Sequence, residues 1–335
     1  MIKKYWKTIC LSIINVLIIA FLFVAYGPFT NFRDWWITTA LGTGNHQYFA
    51  RVLYSEDSIR ETLDRNRTSE FNEDTDANLI VFDTDPKTQF SSIYEEQILK
   101  RDPDNDLYKV VEIQEREFSG FMLVIYDSTR IELATSRNIS RGGQQLTDLA
   151  NDFDAIAAIN ASGFSRSLTT GALTPVGTVI RNNRVESIGG SSFMGGGLIG
   201  LNNDGVLILS NQHGGQAVSN GINHAMTWGP FLIVNGVSAN LRGNGGWGYA
   251  NRTAIAQRQD GIVLFLVIDG RGSNGSRGAS IRDLVELFEK YGAYNAANLD
   301  GGGSSAMTVH GELLNEPRGF GYIGERFLPN AWILR

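Results

Sequence analysis

Cysteine is nearly absent from this chain. The one cysteine among 335 residues, Cys10, lies inside an N-terminal apolar run. No intramolecular disulfide can form, and no thiol nucleophile or thiolate metal site exists beyond that run. Histidine is scarce as well: the four residues His46, His213, His224 and His310 show no ligand spacing, so the usual zinc patterns are missing. Positive charge is not in surplus. Lys and Arg number 29 against 35 Asp and Glu, which gives a net charge of −6 and no basic surface for a nucleic-acid partner. No internal repeat of a solenoid or propeller period is visible. Glycine, by contrast, is abundant at 38 residues, most of them after residue 140 and between short apolar runs. That pattern points to many tight turns in a β-rich domain.

The N terminus carries the longest apolar stretch. Residues 8–32 are uncharged, with an apolar centre over 9–26 even with Asn15 inside it. About 20 apolar residues span a bilayer as a helix. Lys3, Lys4 and Lys7 precede the run and predict an N-in, C-out orientation. Ala25-Tyr26-Gly27-Pro28 makes a poor small-x-small cleavage site, and the run exceeds a usual signal-peptide core. The expectation is an uncleaved single-pass anchor in the plasma membrane through residues 9–29. The N terminus would be cytoplasmic and the C-terminal domain extracellular, with Arg33, Trp35 and Trp36 as an interfacial belt.

Three regions follow: the anchor over 1–29, a membrane-proximal helical and linker region over 30–106, and one mixed α+β domain over 107–335. A helix near residue 58 has the capping-box spacing at Ser58-Ile59-Arg60-Glu61, with Ser55 as a second candidate start. Polar stretches 67–77 and 83–106 read as linkers or mobile loops. Hairpins are predicted for 176–180 with 184–188 around Asn182-Asn183, and for 198–201 with 206–209 around Asn203-Asp204-Gly205. A short helix is expected over 147–153. The clearest helix is 281–291, where Ser280 can cap and Ile281, Leu284, Val285, Leu287 and Phe288 form an apolar stripe.

Two places look chemical. The apolar run 263–268 ends in Asp269-Gly270-Arg271-Gly272, and 295–299 ends in Asp300-Gly301-Gly302-Gly303-Ser304-Ser305. A buried-type strand that delivers an acid into glycines lets a substrate approach the backbone N–H groups. Each motif alone also fits a glycine turn in which the aspartate caps its own backbone. Two such strand ends in one chain favour an enzyme.

Several blocks, taken in order, resemble the phosphodiester glycosidase family. They are Ala158-Ile159-Asn160-Ala161-Ser162-Gly163-Phe164, Pro175-Val176-Gly177-Thr178-Val179-Ile180 and Gly229-Pro230-Phe231-Leu232-Ile233-Val234-Asn235-Gly236. Arg252-Thr253-Ala254-Ile255-Ala256, Val267-Ile268-Asp269-Gly270-Arg271 and Asn298-Leu299-Asp300-Gly301-Gly302-Gly303-Ser304-Ser305-Ala306-Met307 complete the set. The resemblance covers roughly residues 120–335 and implies mixed β-sheets with flanking helices. It also implies hydrolysis of the glycosidic bond in sugar-1-phosphodiesters. The family's Asn-Gly-Gly-Phe-type turn is Asn160-Ala161-Ser162-Gly163-Phe164 here, so the pocket floor is spaced differently. With its anchor the chain looks like a membrane-attached bacterial member, a type associated with exopolysaccharide or the cell envelope.

That chemistry expels a phosphomonoester, already a weak base, so a strong general acid matters less than cations or N–H donors for phosphate. The expected catalytic carboxylates are Asp269 and Asp300, with roles unassigned. The expected substrate-binding residues are Asn160, Gly163, Arg252, Arg271, Gly301, Gly302, Gly303, Ser304 and Ser305: guanidiniums as phosphate forks, the glycine N–H groups and serine hydroxyls as an anion-binding concavity. Plainer readings stand beside these. Arg252 and Arg271 also fit solvated surface arginines, and Asn160 also fits a turn residue that binds nearby backbone. Trp228 and Trp247 suit either sugar stacking or core filling. No cofactor is required by the sequence; Asp269 and Asp300 leave a divalent cation open, although no dedicated loop accompanies them. The expected partner is a sugar-1-phosphodiester or envelope polysaccharide. The alternative is a non-catalytic polysaccharide-binding module that assists glycan assembly or export.

Overall fold

The computed structural model describes residues 2–42, 47–69, 71–83, 85–190, 196–212, 214–319 and 321–335. Of the membrane-proximal region expected over 30–106, residues 43–46, His46 among them, 70 and 84 lie outside the described residues. Contacts divide the chain into two units.

The smaller unit comprises residues 1–67 and 242–248. Its helices are Ile2–Tyr26, Thr30–Leu41, Tyr48–Leu53 and Glu56–Arg65. Ala25, Ile37, Ala40, Ala50, Tyr54 and Ile59 form its core. Ser55, not Ser58, caps the last helix: its hydroxyl accepts the Ser58 N–H at 3.3 Å, which leaves Glu56 and Asp57 in the first turn. Carboxylates there complement the helix dipole. Within the first helix, Tyr5–Tyr26 is long and apolar enough to cross a membrane, a property shared by anchors and signal sequences. Its large apolar side chains, such as Leu11, Val16 and Ile19, are exposed.

The larger unit, residues 68–241 and 249–335, is α+β, with helices and several sheets. A seven-stranded sheet runs Val237–Ser238, Phe231–Val234, Ala293–Asn298, Arg252–Arg258, Val263–Ile268, Ser119–Ile125, Tyr108–Gln114. A five-stranded sheet runs Glu312–Leu313, Met307–Val309, Ala157–Asn160, Asn330–Leu334, Ile131–Thr135. A second runs Leu207–Ser210, Gly197–Asn202, Ile222–Trp228, Thr178–Arg181, Arg184–Ile188. Side chains from all three, including Phe265, Ile159, Trp332 and Ile199, meet in one core. Full burial of Val263–Ile268 explains its unbroken apolar run, since both faces of that strand are covered.

Local signals hold well here. Asn182 and Asn183 turn the Thr178–Arg181/Arg184–Ile188 hairpin with φ of 52° and 57°, the left-handed pair a two-residue turn needs. Ser280 and Asp283 form a complete capping box on Ile281–Lys290, whose five expected stripe residues are buried. The expected helix near 147 spans Leu146–Asp152. The polar stretches after residue 67 are ordered against the unit by specific bonds. Asp74 accepts from the Ser210 hydroxyl at 2.7 Å and the Asn211 N–H at 2.9 Å. The helix Ile93–Leu99, capped by Ser92, buries Ile98 and Leu99 and receives the Tyr126 hydroxyl on the Ile98 carbonyl at 2.8 Å.

Topology brings the two acid-bearing strands together. Val263–Ile268 and Ala293–Asn298 flank Arg252–Arg258 and are each antiparallel to it, with Arg252 opposite Ile268 and Ala254 opposite Asn298. The flanking strands are therefore parallel to one another and end at the same edge, where Arg252–Arg258 begins. Two strand spacings put their backbones about 10 Å apart.

Candidate active site

At that shared edge, Asn251 lies between the two Asp-Gly steps. A Cβ on Gly270 would sit 2.8 Å from the Asn251 nitrogen, and one on Gly301 would sit 2.9 Å from the Asn251 carbonyl oxygen. Glycine after each aspartate is thus a packing requirement: the loops wrap a backbone too closely for any side chain.

Asp269 is 1% exposed and its carboxylate is fully engaged. One oxygen accepts from the Asn274 amide at 3.0 Å; the other accepts from the Asn315 amide at 3.2 Å and the Glu316 N–H at 3.3 Å. The Ser276 hydroxyl donates to its carbonyl at 2.5 Å. Burial raises its carboxyl above the ordinary range, and the Asn274, Asn315 and Glu316 bonds oppose the rise. This pattern ties the 270–276 loop to the 315–318 segment. Across that tie, Arg271 donates to the Arg318 carbonyl at 3.2 Å and Arg318 donates to the Arg271 carbonyl at 3.3 Å.

Asp300 is placed differently. The Ser304 hydroxyl, the Gly301 N–H and the Arg326 guanidinium all act to favour its ionised form. Arg326 donates to the Ser304 hydroxyl oxygen at 3.3 Å and stacks over Phe164 at 4.5 Å. By area Asp300 keeps partial exposure, yet protein crowds the carboxylate enough that burial outweighs these influences and raises it above the ordinary value of 3.8. Three side chains converge on the turn that follows. Arg271 Nη2 lies 3.5 Å from the point a Gly302 Cβ would occupy, and a Cβ on Gly303 would collide with the Tyr322 hydroxyl. Arg326 holds Ser304. Neither Arg271 nor Arg326 has a carboxylate within ion-pair distance among the described residues, so two guanidiniums face the turn against the single longer-range charge of Asp300.

The other sequence-expected residues divide. Gly302, with φ of 61°, spends its N–H on the Asn251 carbonyl at 2.8 Å, and the Ser304 and Ser305 N–H groups close the turn on Gly301 and Gly302. Those three N–H groups are therefore spent internally rather than offered to an anion. Ser305 is fully buried. Arg252 is 4% exposed, donates to the Ala279 carbonyl at 2.9 Å, and burial pushes it down to about 10, still charged at neutral pH. Asn160 donates to the Asp300 carbonyl at 2.6 Å and accepts from the Thr253 hydroxyl at 2.6 Å and the Ala306 N–H at 3.1 Å. Three segments are pinned on that one amide. Gly163 lies under the Trp228 ring, with no room for a side chain. Arg326, Tyr322, Asn274 and Asn315 were not legible in the sequence; Gly324-Glu325-Arg326 was the only local hint, a charged pair after glycine. Among the described residues no three carboxylate, imidazole or thiol groups come together to hold a metal ion.

Replacing Arg326 by Ala should move the acid limb of the kcat/KM profile to higher pH, because the cation that favours ionised Asp300 is gone. Arg326→Lys should return part of that shift. An unchanged acid limb would separate Arg326 from Asp300.

Comparison with known proteins bears on the family and the fold. A family model described as phosphodiester glycosidase matches residues 153–335. The SPbeta prophage-derived uncharacterized protein YomE of Bacillus subtilis (strain 168) is 44% identical over 64 residues, 19% of this chain and 10% of that protein. The N-acetylglucosamine-1-phosphodiester alpha-N-acetylglucosaminidase of Bos taurus is 35% identical over 66 residues, 20% of this chain and 12% of that one. The chain thus matches only about a tenth of the length of either relative. Among solved structures, the zebrafish N-acetylglucosamine-1-phosphodiester alpha-N-acetylglucosaminidase catalytic domain, auto-inhibited by its pro-peptide, is similar in fold. The TM-score is 0.56 over 70% of this chain and 85% of that one, at 16% identity.

Proposed function

The chain belongs to the phosphodiester glycosidase family, a family of glycosidase-type hydrolases, and on that premise we propose that it cleaves the anomeric C–O bond of sugar-1-phosphodiesters. The observation that carries this reading is the convergence of Asp300, Arg271 and Arg326 on the Gly302–Ser304 turn. The two guanidiniums receive the phosphate and stabilise the charge it gains as it leaves. Asp300 faces the anomeric carbon as base for water, or as nucleophile, and balances the oxocarbenium-like transition state. Asp269, with both oxygens already bonded, acts at one remove: it holds the loop that aims Arg271. No strong acid is needed, since a phosphomonoester leaves readily.

An apolar helix preceded by lysines supports an anchored enzyme working outside the cytoplasm, on cell-envelope or exopolysaccharide glycans. The test is hydrolysis of a panel of sugar-1-phosphodiesters by the full chain in oxygen-18 water, with free sugar and phosphomonoester detected separately. Label in the sugar hydroxyl is expected. Label in the phosphate would make the protein a phosphodiesterase instead. Glycan binding with no turnover that Asp300→Asn abolishes would favour a non-catalytic polysaccharide-binding module.

A further inference from the structure

The segment that brings Tyr322 and Arg326 to the Gly302–Ser304 turn also carries exposed apolar residues. Tyr322, which covers Gly303 and Gly319, is followed by Ile323 at 64% exposure, and Arg326 is followed by Phe327 at 51%. Single exposed apolar residues are ordinary on a soluble domain. These two differ in where they lie: one short segment, residues 322–327, carries both of them together with the aromatic and the guanidinium that face the turn. Neither side chain has a donor or acceptor, so neither can recognise a sugar hydroxyl or a nucleobase edge. Around the same turn, Arg271 and Arg326 supply two positive charges against the one carboxylate, Asp300, on which Arg326 acts. An anionic head beside an apolar surface is the complement of an amphiphile. The same chain also holds a helix long and apolar enough to cross a membrane, which would bring it to such molecules.

Resting on the hydrolase reading above, we propose that the aglycone is a lipid phosphate: the substrate is a sugar joined through C1 to the phosphate of a long-chain alcohol. The phosphate lies between Arg271 and Arg326, and the chain leaves the site across Ile323 and Phe327. In the reaction a water oxygen bonds to the anomeric carbon and the C1–O bond breaks. Its electron pair departs on the phosphate oxygen. Free sugar and an alkyl phosphate result, and the proton lost by water is carried away by Asp300 or by the leaving phosphate.

The test reads binding and turnover separately on the full chain in detergent. Octyl phosphate, methyl phosphate and uridine monophosphate serve as product probes in calorimetric titrations of the wild type, the Ile323→Ser/Phe327→Ser double variant and Arg326→Ala. Both apolar residues are exposed, so the double variant should fold. Octyl phosphate is expected to bind the wild type at least about tenfold tighter than methyl phosphate, which needs burial of only about two methylenes. In the double variant that ratio should fall towards one, while Arg326→Ala should weaken both probes alike. Partition of the octyl chain into detergent is the same for every protein, so the change in ratio reports the patch. An equal affinity for the two alkyl phosphates, a ratio unmoved by the double variant, or tightest binding of uridine monophosphate would each overturn the proposal. Turnover of the matching octyl and methyl sugar-1-phosphodiesters tells the two readings apart. If both are cleaved with equal kcat/KM, the hydrolase stands and the lipid aglycone falls. If neither is cleaved, the hydrolase reading falls, and the lipid-phosphate substrate with it.

Discussion

Asp300→Asn is expected to lower kcat/KM on a sugar-1-phosphodiester on the order of 10³-fold while raising the melting temperature at neutral pH. The two effects have one cause. Burial holds the Asp300 carboxyl above its ordinary value despite Arg326, Ser304 and Gly301. The stability tied to its protonated form is fully present below 3.8 and is lost as pH rises through the raised folded value. At pH 7 the ionised group is therefore a burden on the fold, kept for its charge. Asparagine keeps the size and polarity of the side chain and removes the burden, along with the reactive carboxylate. Thermal unfolding of wild type and variant at pH 7 and again near pH 4 checks this: the advantage of the variant should shrink on acidification. A variant that melts lower at pH 7, or that keeps most of its activity, would contradict the assignment.

The second large effect belongs to Asn160. Its amide joins the Asp300 carbonyl, the Thr253 hydroxyl and the Ala306 N–H in a region where Asn160 is 1%, Thr253 0% and Ala306 2% exposed. Asn160→Ala leaves all three groups without a partner and without room for bulk water. A loss of about 3–5 kcal/mol follows from several buried groups left unpaired, or a fall in melting temperature on the order of 10 °C. Chemical denaturation measures the first and calorimetry the second. Asn160→Asp keeps the two acceptor contacts but turns an oxygen toward the Asp300 carbonyl, so it should rescue little. A change below about 1 kcal/mol would mean that Asn160 is not a pin and would return it to the substrate.

The contrast between these aspartates and this asparagine shows where sequence stops. The amino-acid order by itself determined the pieces whose causes are local. Apolar continuity over 263–268 marked a strand buried on both faces, and Ser280 with Asp283 started a helix. Paired asparagines at 182 and 183 made a hairpin turn, and the apolar run over 9–26 formed a helix of membrane-spanning length. It also placed an acid and a glycine at two strand ends.

Tertiary structure alone decided what those acids face. Asp269 meets Asn315 across 46 residues, Ser304 meets Arg326 across 22, and Asn160 meets Asp300 across 140. None of those separations follows a helical or strand period, because they are set by strand order and by which loops share a sheet edge. So composition and spacing could name Asp269 and Asp300 as equals. Only packing saturates the hydrogen bonds of the first and leaves the second under the influence of the Arg326 guanidinium, because a carboxylate's environment is made by neighbours that the chain supplies from far away.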